Sequence, residues 1–254
     1  MSGVTVRKIH HIGIVVEKLD RAYGFYRDTL GLPLIREAEV RDQGVRAALL
    51  AAGESEIELL EPIASGTGVE KFLQKRGEGL HHLCFETPDV DAALAGLRAR
   101  AVSLIDQTPR PGLAGMIAFL HPRSCAGILI ELLTPTARAL LPPSPLKFKR
   151  LVLGARDPRE TSRIFQGLFG LSEQAVNGGP RIMFPLGQST LLLVPLGEVG
   201  GNEGMVALSL FAQDLDALID RLENAGASML CGANEVTLAP ASTHGVHLHI
   251  SRHD

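Results

Sequence analysis

The chain repeats itself, and a repeat limits the possible folds more than composition does. The run HHIGIVVEKLDRAYGFYRDTLGL from position 10 and the run KRLVLGARDPRETSRIFQGLFGL from position 149 share one pattern, with Gly31 and Gly170 standing 139 apart. At that offset Ile12 faces Leu151 and Tyr26 faces Phe165 without a gap. Farther along, Pro62 pairs with Pro195 at an offset of 133, Glu78-Gly79 with Glu203-Gly204 at 125, and Gly127 with Gly245 at 118. An offset that only shrinks is what a duplicated domain leaves when its second copy loses loop residues. A length of 254 residues suits two domains.

Each copy divides again. In the first unit Asp20 is a plausible N-cap, Ala22, Phe25, Tyr26 and Leu30 fall on one helical face, and Gly31 suits the left-handed position after the helix. Asp91 to Ala101, with Leu94 and Leu97, repeats the theme. Asp157-Pro158 predicts a cap followed by proline at the first helical position. Leu215, Leu218, Ile219, Leu222 and Gly226 mark a fourth helix. Short β-rich runs surround these helices: IGIVV at 12–16, VRAALLAA at 45–52, EIELLE at 56–61, MIAFL at 116–120 and ILIELL at 128–133. The expected fold is α+β, four βαβββ modules in two domains, 1–134 and 147–254. The proline-rich segment 135–146 reads as a semi-rigid linker.

Charge and cysteine content narrow the class. Lys and Arg number 25 against 28 Asp and Glu, a net charge of −3, so no basic footprint advertises a nucleic acid partner. The longest apolar runs fall far short of the roughly 20 residues that cross a bilayer, so no membrane partner is expected. The N-terminal MSGVTVRKIHHIGIVV lacks the order of a signal peptide. Three widely spaced cysteines, Cys84, Cys125 and Cys231, form neither a disulfide framework nor a paired zinc motif. A reduced, cytoplasmic location is the expectation.

The first two modules carry the same chemistry at equivalent places. Module one opens with His10-His11 and closes with Glu58; module two opens with His81-His82 and closes with Glu131. The separations are 47 residues from His11 to Glu58 and 49 from His82 to Glu131. Successive strand side chains point to opposite faces, so one histidine of each pair faces inward in either register. An inward imidazole or carboxylate among Ile, Leu and Val costs several kcal/mol unless paired. Two His and two Glu converging would suit one borderline divalent cation, Co, Mn, Ni or Zn. A single Glu on a half-buried strand is ordinarily just its water-facing residue. The recurrence across a repeat carries the metal reading, and the choice within each histidine pair stays open on these grounds.

The segments HHIGIVVEKLDRAYGFYRDTLGL, EIELLEP, FLQKRGEGLHHLCFE and FLHPRSCAGILIEL resemble the methylmalonyl-CoA epimerase branch of the vicinal oxygen chelate (glyoxalase/extradiol dioxygenase) superfamily, over about residues 7–134. The resemblance implies His11, Glu58, His82 and Glu131 as metal ligands, with His10 and His81 facing away. It implies epimerisation of a 2-substituted malonyl-CoA thioester through α-proton abstraction and a metal-stabilised enolate, with Glu131 as one acid or base. The substrate partner would be an acyl-CoA or another small molecule. Some epimerases resembling this chain carry a Glu where GVRAALL has Ala47, which removes the obvious second base. Glu37 and Glu39 on the preceding strand read as solvated edge charges rather than substitutes. Lys71, Lys75, Arg76 and Arg123 are cations near the expected site that receive no assignment.

The offsets carry His11 to Arg150, Glu58 to Leu191, His82 to Ala207 and Glu131 to His249. The second copy then reads as degenerate and kept for packing, making the chain a pseudo-dimeric monomer or a homodimer. His247 and His249 share one strand face near His244, but no carboxylate partner is evident for a second metal. The alternatives are a glyoxalase-type isomerase or lyase, less readily an extradiol dioxygenase, or a sequestering protein of the same fold.

Overall fold

The computed structural model describes residues 3–136 and 140–253; part of the segment read as a linker, 137–139, lies outside them. Module one runs β1 (Lys8–Val15), α1 (Leu19–Tyr23) continuing into a π-helical stretch at Gly24–Thr29, β2 (Leu34–Val40), β3 (Val45–Ala52) and β4 (Ser55–Pro62), followed by α2 (Gly68–Arg76). Module two runs β5 (Gly79–Glu86), α3 (Val90–Ala99), β6 (Arg110–Pro111), β7 (Gly115–Leu120) and β8 (Ile130–Pro135). Module three is β9 (Leu146–Ala155), α4 (Pro158–Phe169), β10 (Gln174–Ala175), β11 (Ile182–Leu186) and β12 (Ser189–Pro195). Module four is β13 (Gly204–Ala212), α5 (Leu215–Asn224), β14 (Met229–Cys231), β15 (Glu235–Leu238) and β16 (His247–Ser251). The two eight-stranded sheets have matching orders, β2-β3-β4-β1-β5-β8-β7-β6 and β10-β11-β12-β9-β13-β16-β15-β14.

Within each module the first strand pairs in parallel with the last, and the rest follow antiparallel. The helix after the first strand supplies the crossover that a parallel pair requires. Hairpin register decides which residues of the repeat are equivalent. Ala52 pairs with Ser55 across Gly53-Glu54, and Leu186 with Ser189 across Gly187-Gln188. The offset at β4 is therefore 134, and the residue in Glu58's place is Leu192, not Leu191; a slip of one residue would turn the strand over. Matching Pro62 with Pro195 caused that error.

Caps also correct the reading. Asp20 is not the N-cap of α1, because Leu19 N–H already donates to the buried Glu61 carboxylate on β4, 3.0 Å away. Leu30 N–H reaches back five residues to the Phe25 carbonyl at 2.9 Å, and Tyr26 and Leu30 remain buried. α3 starts at Val90 under an Asp89 cap rather than at Asp91, and β8 starts at Ile130, two residues after Ile128. α2 was not anticipated, although Thr67 caps it by accepting from Glu70 N–H, and the Glu70 carboxylate in turn accepts from Gly66 N–H just before the cap. As expected, Asp157 caps α4 with Pro158 after it; Gly170 ends the helix in the left-handed conformation.

By contacts the chain gathers into two compact units that cut across the repeat, one joining module one from His11 to module four from Ala207, the other joining module two from His82 to module three from Arg150. In the first unit the buried Tyr26 hydroxyl donates to the Thr243 carbonyl at 2.9 Å, and Arg221 Nε donates to the Thr29 carbonyl at 3.0 Å. Gly245, at φ +78°, lies so close to the Glu78 carbonyl that a Cβ would come within 1.8 Å of its oxygen. In the second unit Phe85 packs on Phe169 with ring centroids 5.0 Å apart, Phe165 packs on both Phe169 and Phe184, and Val4 N–H donates to the Leu168 carbonyl. No helix among the described residues is long and apolar enough to cross a membrane. All three cysteines are free thiols.

Candidate metal centre

Parallel pairing of first and last strands sets each histidine beside its carboxylate. In module one His11 lies opposite Glu56 and Gly13 opposite Glu58. Residues two apart on a strand share a face, so Glu58 sits one pleat along from His11 on the same face. Its register neighbour there has no side chain, and the carboxylate reaches back to bring Oε2 within 3.5 Å of His11 Nε2. In module two Cys84 lies opposite Glu131, and Glu131 Oε2 comes within 3.4 Å of His82 Nε2. All four side chains belong to residues no more than 7% exposed.

These separations test the fit to a metal. Both exceed the 2.7–3.2 Å usual for a nitrogen–oxygen hydrogen bond. They match two donors that share one cation, each about 2.0–2.2 Å from it. His11 with Glu58 lies in one compact unit and His82 with Glu131 in the other, and each pair offers an imidazole nitrogen and a carboxylate oxygen. Buried imidazoles with carboxylates form a borderline-to-hard donor set suited to a first-row divalent ion.

Neighbours hold these ligands in place. The His82 ring stands edge-on to Phe119, with centroids 5.4 Å apart and planes at 86°. The Cys84 thiol donates to Glu131 Oε1 at 3.4 Å, which leaves Oε2 turned toward His82. Sequence reasoning gave Cys84 no place in this constellation. Its position two residues beyond His82 on one strand was the available signal. His10 is buried, and burial, helped by the charge of Lys8, pushes its pKa down to about 4, so the ring is neutral at pH 7. His81 sits edge-on to Phe72 of α2, 4.9 Å between centroids.

Residues outside the four fall as follows. Ala47 is buried and apolar. Glu37 is an exposed charge on the edge strand β2, where it accepts from Tyr23 Oη at 2.5 Å and Arg46 Nε at 2.6 Å. Arg76 lies over the Phe72 ring, and Arg123 Nε donates to Ser103 Oγ. Two of the second copy's histidines do have carboxylates, contrary to the reading from sequence. His249 Nε2 lies 2.9 Å from Glu235 Oε2, and His244 Nδ1 lies 2.9 Å from Glu78 Oε2. These are single pairs, and among the described residues no group of three donors forms around them.

A sequence profile of the glyoxalase/bleomycin resistance protein/dioxygenase superfamily matches residues 10–119. The chain is 32% identical over 130 residues to the ethylmalonyl-CoA/methylmalonyl-CoA epimerase of Cereibacter sphaeroides, a match covering 50% of this chain and 97% of that protein. A solved structure of a methylmalonyl-CoA epimerase in complex with methylmalonyl-CoA and NH4+ matches 52% of this chain and 97% of its own at 41% identity and a TM-score of 0.51. A mutant 4-hydroxymandelate synthase from Streptomyces coelicolor aligns over 97% of this chain and 92% of its own with a TM-score of 0.72 at 15% identity, which shows a shared two-domain fold. The chain belongs to the glyoxalase/bleomycin resistance protein/dioxygenase superfamily. Within it the first repeat stands with the methylmalonyl-CoA epimerases, which makes the chain an isomerase by class.

Proposed function

We propose that the protein is a divalent-metal-dependent epimerase of a 2-substituted malonyl-CoA thioester, methylmalonyl-CoA or a close relative, with residues 1–134 as the catalytic domain and 147–254 as a second domain that packs against it. The observation that carries this reading is the doubled His–Glu pair, His11 with Glu58 and His82 with Glu131, on equivalent strands of two modules whose relatives are named epimerases. These four side chains would hold the cation. When bound, a divalent ion supplies Lewis-acid stabilisation of the negative charge that develops as the α-proton leaves.

The chain's own residues do the rest. Glu131 holds two differently engaged oxygens, one accepting from Cys84 and one turned to His82, so the carboxylate is fixed in direction. A carboxylate so placed acts as acid or base on one face of the α-carbon. The wall near it is apolar: Ile117, Phe119 and Leu133 cluster with Cys84. Such a wall keeps water from competing for the proton. With Ala47 buried and apolar, that position offers no second base, so return of the proton to the opposite face falls to water or a distant group.

The test is hydrogen exchange. Incubated with methylmalonyl-CoA in D₂O, the metal-loaded protein should exchange the α-hydrogen and epimerise the substrate, and a chelator should stop both. Absence of exchange with several 2-substituted malonyl thioesters, in fully metallated protein, would reject the proposal.

A further inference from the structure

The second repeat has lost the metal ligands but has not become inert at those positions. Arg150 occupies the place of His11, on β9 beside β12, where its register partner is Thr190 and where Leu192 replaces Glu58. The 134-residue offset of the β11–β12 hairpin also puts Arg181 at the place of Ala47. Both arginines therefore fall on the sheet face that carries the ligands in the first repeat. The Nε atom of Arg150 is buried and has no hydrogen-bond partner among the described residues. Burial disfavours its charge, and so does the neighbouring charge of Arg181. Arg181 itself pairs with Glu198, Nε to Oε2 at 2.5 Å, so that carboxylate is already engaged. Arg150 is half-buried, and holding part of a guanidinium out of water with an unpartnered N–H carries a cost. Its planar fork suits the two oxygens of a carboxylate or phosphate.

We propose that this face of the second repeat is an anion-binding site, in which Arg150, assisted by Arg181, takes the carboxylate or phosphate group of a small organic acid or ester. The site replaces a cation and its acidic ligands by a fixed cation, so it binds an oxyanion directly and needs no metal. It does not rest on the metal reading of the first repeat.

Binding is tested calorimetrically with malonate and with inorganic phosphate, in the His82→Ala protein so that the first repeat does not answer for the second. Saturable binding is expected, and Arg150→Met should weaken it at least about tenfold, the loss of about 1.4 kcal/mol. Binding of malonate alone assigns the carboxylate source, and binding of phosphate alone the phosphate source. Without added anion, Arg150→Met should melt higher than its parent, because a half-buried charge with an unpartnered Nε is gone, and the anion should no longer raise its melting temperature. Arg150→Gln serves as the second variant should the methionine variant not fold. No saturable binding of either anion, or binding that both Arg150 variants leave unchanged, overturns the proposal.

Discussion

Module one and module three have the same strand order, the same parallel pairing of first and last strands and the same helix between them, yet they present opposite chemistry. On one, His11 and Glu58 face each other at 3.5 Å; on the other, Arg150 stands beside Thr190 and Leu192. The helices differ in a similar way. The helix of module three is capped by its own Asp157, while that of module one has Lys18 at the cap and borrows Glu61 from β4, where module three has Pro195. The fold is carried by strand register and by buried faces, which both copies keep. Function and local capping rest on a few side chains that register brings together, and those are free to diverge. A duplicated domain can therefore lose one site and form another without changing its architecture.

The largest effect expected is from His82→Ala. Removing one imidazole from a buried donor set should take metal from about one ion per chain to near none, read by elemental analysis, and α-hydrogen exchange should fall with it. Full metal content in that variant would leave the first repeat no better equipped than the second. Glu131→Gln comes next: exchange should drop about 10²–10⁴-fold, the usual contribution of a positioned acid or base. Metal content measured on the same samples separates lost affinity from lost proton transfer. Ala47→Glu should act in the opposite direction, raising inversion relative to exchange by supplying a second carboxylate; an unchanged ratio would show that position 47 does not face the α-carbon.

Smaller effects probe the fold. Tyr26 and Phe165 are equivalent residues, and only Tyr26 carries a hydroxyl, which bonds the Thr243 carbonyl. Tyr26→Phe should therefore cost about 1 kcal/mol, read from denaturant unfolding. The smallest change is expected from Glu61→Gln, about 1 kcal/mol or less, because the Leu19 cap is weakened and the largely exposed Lys18 pair adds little. This substitution also has a pH signature. Burial would raise the Glu61 carboxyl, but hydrogen bonds from Lys18 and Leu19 N–H and the charge of Arg46 hold it below its ordinary value. The unfolded chain then binds the proton more readily, so this contribution is present above the ordinary carboxylate pKa and is lost as pH falls through the lowered one. Melting temperatures across that acid range should converge for wild type and Glu61→Gln; a constant gap would show that Glu61 does not carry it.

Local chemistry was legible wherever it was written in neighbouring residues. Asp157-Pro158 announced α4, VRAALLAA coincides with β3, and the spacing of His11, Glu58, His82 and Glu131 pointed to a doubled donor pair. What failed needed a partner remote in sequence. Asp20 looked like a cap because Glu61, 42 residues away, could not be seen to be the real one. His249 seemed to lack a carboxylate because Glu235 joins it only when β15 folds back on β16.

The sequence by itself determined that the chain is a duplicated α+β architecture of four like modules, because hydrophobic periodicity, caps and turn glycines act over a few residues and the repeat supplies the long-range order twice. Tertiary structure alone decided register. Whether Leu191 or Leu192 stands in the place of Glu58, which oxygen of Glu131 meets Cys84, and that Arg181 takes the place of Ala47 all follow from strand pairing. A shift of one residue reverses every side chain on a strand, and the pairing that prevents it is made between residues far apart in the chain.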